Sequence, residues 1–313
     1  MDRHDRSSAG LVVAAALVLA FLVAAAYTLA DLWLSPRPRA VPPQESRVEA
    51  GPVEQRPEPA RPATPDYTEL EQAVRRTIHG KGGTWGVYVE DLNTGFRFGI
   101  NQDREFVAAS TIKVPLVLFL YRQAQDGRLD LDETLTIQPG DYESGTGRLQ
   151  SQPVGSRYTL RELARLALVD SDNVATRMLL RRVGRENFQA YVRELGAFIA
   201  PDRENVTSPR DMAAFFKAVL AFKNEAPALG GELLEALQHT NFNDRIPALL
   251  PPGTPVAHKI GNQARVVNDA GVVLLPDHPY LISLFTDDVN EGEATANLAQ
   301  ISKAVYDYQS SLR

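Results

Sequence analysis

The chain has 313 residues, of which 44% are hydrophobic and 23% are charged, and its formal net charge is −6. An acidic balance without a basic stripe argues against a nucleic-acid-binding surface. The complete lack of cysteine excludes a disulfide framework, a thiolate metal site and an acylated cysteine anchor. We expect neither a metal nor a cofactor.

The chain begins with a short tail and an almost unbroken apolar stretch over residues 9–30. This stretch is long enough to cross a hydrocarbon layer of roughly 30 Å, whereas the apolar part of an ordinary secretory signal has about 7–15 residues. We therefore predict a tail over residues 1–8 and an uncleaved transmembrane signal anchor over residues 9–30, although Thr28-Leu29-Ala30 loosely resembles a cleavage site. Arginines flank both sides of the span and do not set its orientation. The layout of a short tail before one span favours a single-pass cell-membrane protein with its globular domain on the extracytoplasmic side.

Residues 31–66 alternate proline with charge, as in the stretch from Arg56 to Pro62. Such a segment cannot bury a core, so we predict an extended, semi-rigid linker of polyproline character. A proline-rich ligand for a partner protein is the alternative.

Globular patterning starts near Tyr67 and continues to the end of the chain, which defines a domain over residues 67–313. A short helix comes first, followed by a hairpin whose turn contains Asn93-Thr94-Gly95. Helical patterns fill the middle, over 160–169, 173–183, 186–195, 208–222 and 231–240. Strand patterns return over 255–260, 271–275 and 280–285, before a last helix over 294–308. Strands at both chain ends predict one mixed or antiparallel sheet flanked by helices, with the helical middle as a second lobe.

Ser110 and Lys113 open a strongly helical apolar run that contains Pro115 near its start. On a helix, residues three apart lie on one face with Cβ atoms roughly 5–6 Å apart. A neutral lysine amine could then take the proton of the serine hydroxyl, which is otherwise a weak nucleophile. The alternative is a helix-capping serine followed by a surface lysine.

Two further tripeptides turn this pair into a constellation: Ser171-Asp172-Asn173 and Lys259-Ile260-Gly261. Together with Ser110-x-x-Lys113, and with one mismatch at Ile260, they match the S-x-x-K, S-D-N and K-T-G set. The chain thus resembles the class A β-lactamase-like serine hydrolases over its whole globular part. The resemblance implies an α/β fold of the α+β type, with an antiparallel sheet from both chain ends, flanking helices and an all-helical lobe. Residues 67–313 would be the catalytic domain.

Opening an amide defines the roles of these residues. Ser110 would attack the carbonyl and neutral Lys113 would take its proton; a partly desolvated site and the nearby Lys259 would depress the lysine pKa. The resemblance implies that Ser171 relays a proton to the departing nitrogen with help from Lys259, while Asn173 holds a substrate carbonyl. An oxyanion needs two preorganised donors, and the resemblance implies that these are the backbone amides of Ser110 and Asn262. Gly261 would let a ligand approach the strand closely.

The resemblance weakens at two places. Class A enzymes carry a long loop with a glutamate that activates the deacylating water, but the corresponding loop here is short, and Glu204 reads as a solvated charge rather than as that base. Ile260 replaces the family's threonine, which contacts the substrate carboxylate.

The expected activity is β-lactam hydrolysis through an acyl-enzyme at Ser110, slow in deacylation, on a β-lactam or peptidoglycan-derived small substrate. The alternatives are a D-alanyl-D-alanine carboxypeptidase or penicillin-binding-protein-like cell-wall peptidase, and a β-lactam or cell-wall binding module without turnover.

Overall fold

A computed structural model describes residues 67–197 and 205–312 of the chain. The tail 1–8, the apolar segment 9–30, the linker 31–66 and Glu204 lie outside the described residues. Within the described residues, no helix is long and apolar enough to cross a membrane. The domain boundary at residue 67 stays a prediction.

Nine strands and eight α-helices form this part of the chain. The strands are β1 (Thr84–Asp91), β2 (Arg97–Ile100), β3 (Phe106–Val107), β4 (Thr134–Thr136), β5 (Arg157–Thr159), β6 (Val206–Thr207), β7 (Val256–Gln263), β8 (Val266–Val273) and β9 (Tyr280–Asp287). The helices are α1 (Thr68–Ile78), α2 (Lys113–Gln125), α3 (Leu160–Val169), α4 (Asn173–Val183), α5 (Arg185–Glu194), α6 (Pro209–Glu225), α7 (Pro227–Gln238) and α8 (Glu291–Ser311).

Five strands form a central antiparallel sheet in the order β2-β1-β9-β8-β7. Strands from the two ends of the described part pair directly, with Val87 of β1 opposite Leu284 of β9. The two short pairs, β3 with β6 and β4 with β5, are also antiparallel. The predicted antiparallel sheet from both chain ends is therefore confirmed.

The sheet separates two apolar cores because successive side chains of a strand point to opposite faces. On β9, Ile282 and Leu284 pack into the core that contains residues of α1 and α8. Their neighbours Leu281 and Phe285 belong to the other core, which includes the residues of the helical lobe. Both faces of β9 are thus buried, and β9 is the middle strand of the sheet, with β8 and then β7 on one side of it.

Polar caps set the helix starts that surround the site. Thr159 accepts a hydrogen bond from the Glu162 amide at the start of α3, and the Glu162 side chain bonds back to the Thr159 amide. Ser208 caps α6 by accepting a hydrogen bond from the Asp211 amide, and Pro209 follows at the first helical position.

The helix that was expected to carry Ser110 starts later than its sequence pattern suggests. Residues Ala109–Ile112 form a 3₁₀ turn, and the α-helix begins at Lys113. Pro115 explains the difference, because it lacks an N–H group and its ring would clash with the carbonyl of Thr111 in a continuous α-helix. Residues three apart also lie on one face of a 3₁₀ turn, so the type and the start of the predicted helix are corrected, and the closeness of Ser110 and Lys113 stays a prediction.

Candidate active site

A cavity of about 560 Å³ opens where the 3₁₀ turn, the start of α4 and the end of β7 meet. Four of the seven predicted site residues line it: Ser110, Lys113, Asn173 and Asn262. The other three, Ser171, Lys259 and Gly261, are buried. The fold thus gathers residues that are as far apart as 110 and 262 in the sequence.

Ser110 sits at the cavity in a turn with an unusual backbone. The preceding residue, Ala109, has a φ of +47°, in the left-handed region that non-glycine residues rarely adopt. Such conformations cluster at functional sites, where the surrounding structure holds them. Ser110 thus lines the cavity immediately before the head of α2.

Lys113 is buried, with 3% of its surface exposed, and its amine is held by three acceptors. Its Nζ donates to the backbone oxygen of Ser171 at 2.6 Å, to Ser171 Oγ at 3.2 Å and to Asn173 Oδ1 at 2.7 Å. Among the described residues, this amine makes no hydrogen bond to Ser110 Oγ. Catalytic hydrogen bonds often tighten only when substrate is bound.

Burial lowers the pKa of Lys113 to about 8, although the charges of Asp172 and Glu143 act in the opposite direction. The ammonium form uses all three of its N–H donors here. The neutral form has a lone pair that can accept the Ser110 proton. A useful fraction of the amine is therefore neutral near physiological pH.

Lys259 lies on β7 and is completely buried. Its Nζ donates to Ser171 Oγ at 3.0 Å and to the Ile260 carbonyl at 3.3 Å, and lies 5.8 Å from the ring centre of Phe242. Burial holds the pKa of Lys259 well below its usual value, and the charge of Lys113 adds to this effect. The predicted effect of one lysine on the pKa of the other is thus found at Lys259, whose pKa is lowered by the charge of Lys113. The pKa of Lys113 itself is lowered by burial.

Ser171 joins the two lysines through a single hydroxyl, and its position depends on a strained turn between α3 and α4. Its φ is +55°. The next residue, Asp172, caps α4 by accepting from the Ala175 amide at 3.0 Å, and its second oxygen accepts from the Leu149 amide at 2.8 Å. The aspartate is buried and fixes the place of Ser171 from one side.

Asn173 has one donor left for a substrate. Its Oδ1 accepts from Lys113, and its Nδ2 donates to the Ser144 carbonyl at 2.8 Å. An amide nitrogen has two N–H donors. The second N–H can therefore bind a carbonyl that enters the cavity, which is the role predicted for Asn173.

Gly261 is required by the chain itself. A Cβ atom at this position would lie 2.7 Å from the Ala108 carbonyl oxygen and 3.2 Å from the Ala109 side chain. Strand β7 therefore touches the turn that carries Ser110, and Asn262 follows at the cavity. Whether a ligand also approaches Gly261, and whether the Ser110 and Asn262 amides bind an oxyanion, stay predictions.

A loop that the sequence reading passed over completes the site. Thr146 Oγ1 donates to the Ser171 carbonyl at 2.6 Å. Gly145 and Gly147 on either side have φ values of +122° and +116°, and a Cβ at Gly147 would lie 2.3 Å from the Asp172 carboxyl carbon. In the sequence, this part of the site was indicated only by a threonine between two glycines in a polar stretch.

Of the two departures from the family pattern, the structure describes the one at Ile260. Glu204 lies outside the described residues. Ile260 is 5% exposed and is not among the described residues that line the cavity. Among the described residues that line the cavity, Glu143 is the one carboxylate, and its exposed side chain contacts Arg177 at 3.5 Å.

Comparisons with known proteins identify the family. Residues 69–309 match the model of the β-lactamase enzyme family. The extended-spectrum β-lactamase PER-1 of Pseudomonas aeruginosa is 27% identical over 273 residues, which are 77% of this chain and 87% of the relative. β-Lactamase ROB-1 of Haemophilus influenzae is 27% identical, with 82% of this chain and 83% of the relative covered.

Solved structures give the same result for the fold. The structure of PBP-A is 31% identical with a TM-score of 0.73, and the match covers 78% of this chain and 97% of that protein. A mutant of PBP-A, solved as an acyl-enzyme complex with penicillin G, is 30% identical with a TM-score of 0.72, over 78% of this chain and 96% of that protein. The chain belongs to the β-lactamase enzyme family. It is a β-lactamase-like serine hydrolase, and the predicted family and α+β fold are confirmed.

Proposed function

We propose that the protein opens β-lactam amides by forming an acyl-enzyme at Ser110, and that it hydrolyses this intermediate slowly. One observation carries the proposal: two buried amines, Lys113 and Lys259, bond the same Ser171 hydroxyl at 3.2 and 3.0 Å beside the cavity that Ser110 lines. This arrangement provides a base for the nucleophile and a proton source for the leaving group.

In the proposed reaction the Ser110 oxygen forms a bond to the amide carbonyl carbon while its proton moves to neutral Lys113. The backbone amides of Ser110 and Asn262 stabilise the negative oxygen of the tetrahedral intermediate. The carbon–nitrogen bond then breaks, Ser171 gives its proton to the nitrogen, and the Lys113 ammonium returns a proton to Ser171. Buried Lys259 holds the Ser171 hydroxyl in position throughout.

Slow deacylation is expected because the described residues that line the cavity offer few candidates for a general base. Glu143 is the one carboxylate among the described residues that line the cavity, and its exposed side chain lies 3.5 Å from Arg177 rather than against Ser110 or Lys113. General-base assistance is typically worth about 10²–10⁴-fold. Without it the acyl-enzyme should accumulate, and the penicillin acyl-enzyme of a PBP-A mutant is a precedent in a similar structure.

A second candidate is a D-alanyl-D-alanine carboxypeptidase or related cell-wall peptidase. The similarity to PBP-A favours this reading, and the same nucleophile, base and proton relay would serve both substrates, because β-lactams mimic the dipeptide. A binding module that is acylated without turnover would show only the first chemical step.

The test uses the full chain in neutral detergent, mixed with a chromogenic cephalosporin or with a D-Ala-D-Ala peptide. We expect a burst of one cephalosporin per protein followed by a slow steady state, absent in Ser110→Ala and retained in Ser310→Ala, which changes an exposed serine of α8. Rapid turnover without a burst would contradict slow deacylation, and its loss in Glu204→Gln would identify the base. Faster release of D-alanine than of opened cephalosporin would establish the peptidase.

We further propose that residues 9–30 anchor the protein in the cell membrane, with the catalytic domain on the extracytoplasmic side. The length and apolar character of this segment support the proposal. In fractionated cells the full chain should stay with the membrane after a high-salt wash, and external protease should digest it in intact spheroplasts. A protein released by salt, or protected until the membrane is lysed, would contradict the anchor or its orientation.

A further inference from the structure

The cavity does not end at the catalytic residues but continues along one face of α4. Asn173, Thr176, Arg177 and Leu180 line it, at the spacing i, i+3, i+4 and i+7 that defines a single helical face. With a rise of 1.5 Å per residue, this face runs about 10 Å away from the Asn173 end. The space therefore extends well beyond the atoms that react.

Helix α5 supplies a second face to the same cavity. Its lining residues, Arg185, Phe188, Gln189 and Val192, repeat the same spacing. Gly184, with a φ of +85°, makes the turn between the two helices. Phe188 and Val192 are buried and give the distant part of the cavity an apolar floor.

Cationic groups dominate this distant part. Arg177 and Arg185 line both this cavity and a neighbouring one of about 250 Å³. Arg177 has 41% of its side chain exposed, and its contact with Glu143 is a single 3.5 Å approach of Nε to a carboxylate that is 53% exposed. Exposed pairs of this kind are worth little.

Arg181, one turn further along α4, shows the contrast. Its Nε and Nη2 each bond an oxygen of the buried Asp141 at 2.9 Å, and Nη2 also bonds the Thr136 carbonyl. This fork-shaped pair and the bond to Thr136 use three of the five guanidinium N–H donors and hold the group against a buried carboxylate. Arg177 has no comparable pair among the described residues, so its donors are available to a ligand in the cavity.

We propose that the Arg177 end of the cavity is a subsite for a carboxylate on the acyl side of the substrate, with Arg185 adding positive charge. The proposal rests on the proposed function and on the role predicted for Asn173, which is to bind a substrate carbonyl, here taken as that of the acyl side chain. Arg177 follows Asn173 by four residues, about 6 Å along the helix. An extended peptide spans about 3.3–3.6 Å per residue. The substrate class is therefore an acyl donor with a carboxylate about 6 Å, or two peptide residues, beyond that carbonyl.

Three penicillins made from aminopenicillanic acid test the subsite, because they differ only in the end of a side chain of similar length. An adipoyl chain ends in a carboxylate, a heptanoyl chain is neutral, and an aminohexanoyl chain ends in an ammonium group. The readout is the ratio of second-order acylation rate constants of the full chain in neutral detergent. We expect the adipoyl compound to react about fivefold faster than the heptanoyl compound, and the aminohexanoyl compound to react slowest.

Arg177→Gln should bring the adipoyl-to-heptanoyl ratio close to one, whereas Arg177→Lys should keep part of the preference. Arg157→Gln is the matched control, since this exposed arginine of β5 lies outside the cavity. The ratio of the two acylation rate constants is unaffected by a general loss of folded protein, because such a loss lowers both rates equally. Equal rates for all three penicillins, or a preference unchanged in both Arg177→Gln and Arg185→Gln, would overturn the subsite alone. Failure of every penicillin to acylate Ser110 would instead overturn the proposed function.

Discussion

The depressed pKa of Lys113 predicts how acylation depends on pH. With a pKa of about 8, the neutral fraction of the amine is about one-tenth at pH 7, about half at pH 8 and about nine-tenths at pH 9. Because the neutral amine is the proposed base, the second-order rate constant for acylation should rise about tenfold between pH 7 and pH 9. Stopped-flow mixing with a fluorescent penicillin measures this profile directly.

A single substitution then moves the midpoint in a known direction. The charge of Glu143 raises the pKa of Lys113, so Glu143→Gln should lower that pKa and shift the profile to lower pH. Because Glu143 is exposed, we expect the rate at pH 7 to increase only about 1.5- to 5-fold. Glu235→Gln removes the same charge from an exposed position of α7 and should leave the profile in place. A rate that falls with rising pH, or a midpoint that moves upward in Glu143→Gln, would refute neutral Lys113 as the base.

Three further predictions concern the scaffold of the site, and urea unfolding of the full chain in detergent micelles measures each of them. Gly261→Ala should lower the free energy of unfolding by about 1–3 kcal/mol, because its Cβ would lie 2.7 Å from the Ala108 carbonyl oxygen. The same substitution should slow acylation about tenfold or more. Gly231→Ala, which has open space around it, should raise the free energy of unfolding by up to about 1 kcal/mol. An equal change in both glycine variants would contradict the close approach of Gly261 to Ala108. Asp172→Ala should cost about 1–3 kcal/mol, because a helix cap and a buried amide both lose their acceptor; a loss below about 0.5 kcal/mol would contradict this role. His258→Ala should cost about 2–4 kcal/mol, since its fully buried ring bonds a buried carboxylate and an amide oxygen, and an unchanged unfolding midpoint would contradict that role.

Elements with a strong local pattern could be read from the sequence. Helices α3 and α4 have the bounds expected from their apolar spacing, because each also starts at a polar cap, Thr159 and Asp172. The hairpin of β1 and β2 was equally readable. Its turn is fixed locally by Asp91, whose side chain accepts from the backbone amides of Asn93 and Thr94.

Features that depend on distant contacts could not be read in this way. The sequence places Gly261 at a strand end, but only the fold shows that Ala108 comes within the space of its missing side chain. The three motifs identified a set of site residues, whereas the hydrogen bonds of both lysines to Ser171 cross 58 and 88 positions of the chain. The turn at Ser110 was misread because the effect of Pro115 on residue 111 was left out.

The position of the covalent adduct tests Ser110 as the nucleophile most directly. The full chain is treated with benzylpenicillin, quenched within the burst, and analysed by intact-mass spectrometry and peptide mapping. We expect one adduct per protein, located on Ser110 and absent in Ser110→Ala. An adduct on another residue, or an unmodified protein after complete opening of the penicillin, would contradict the proposed function.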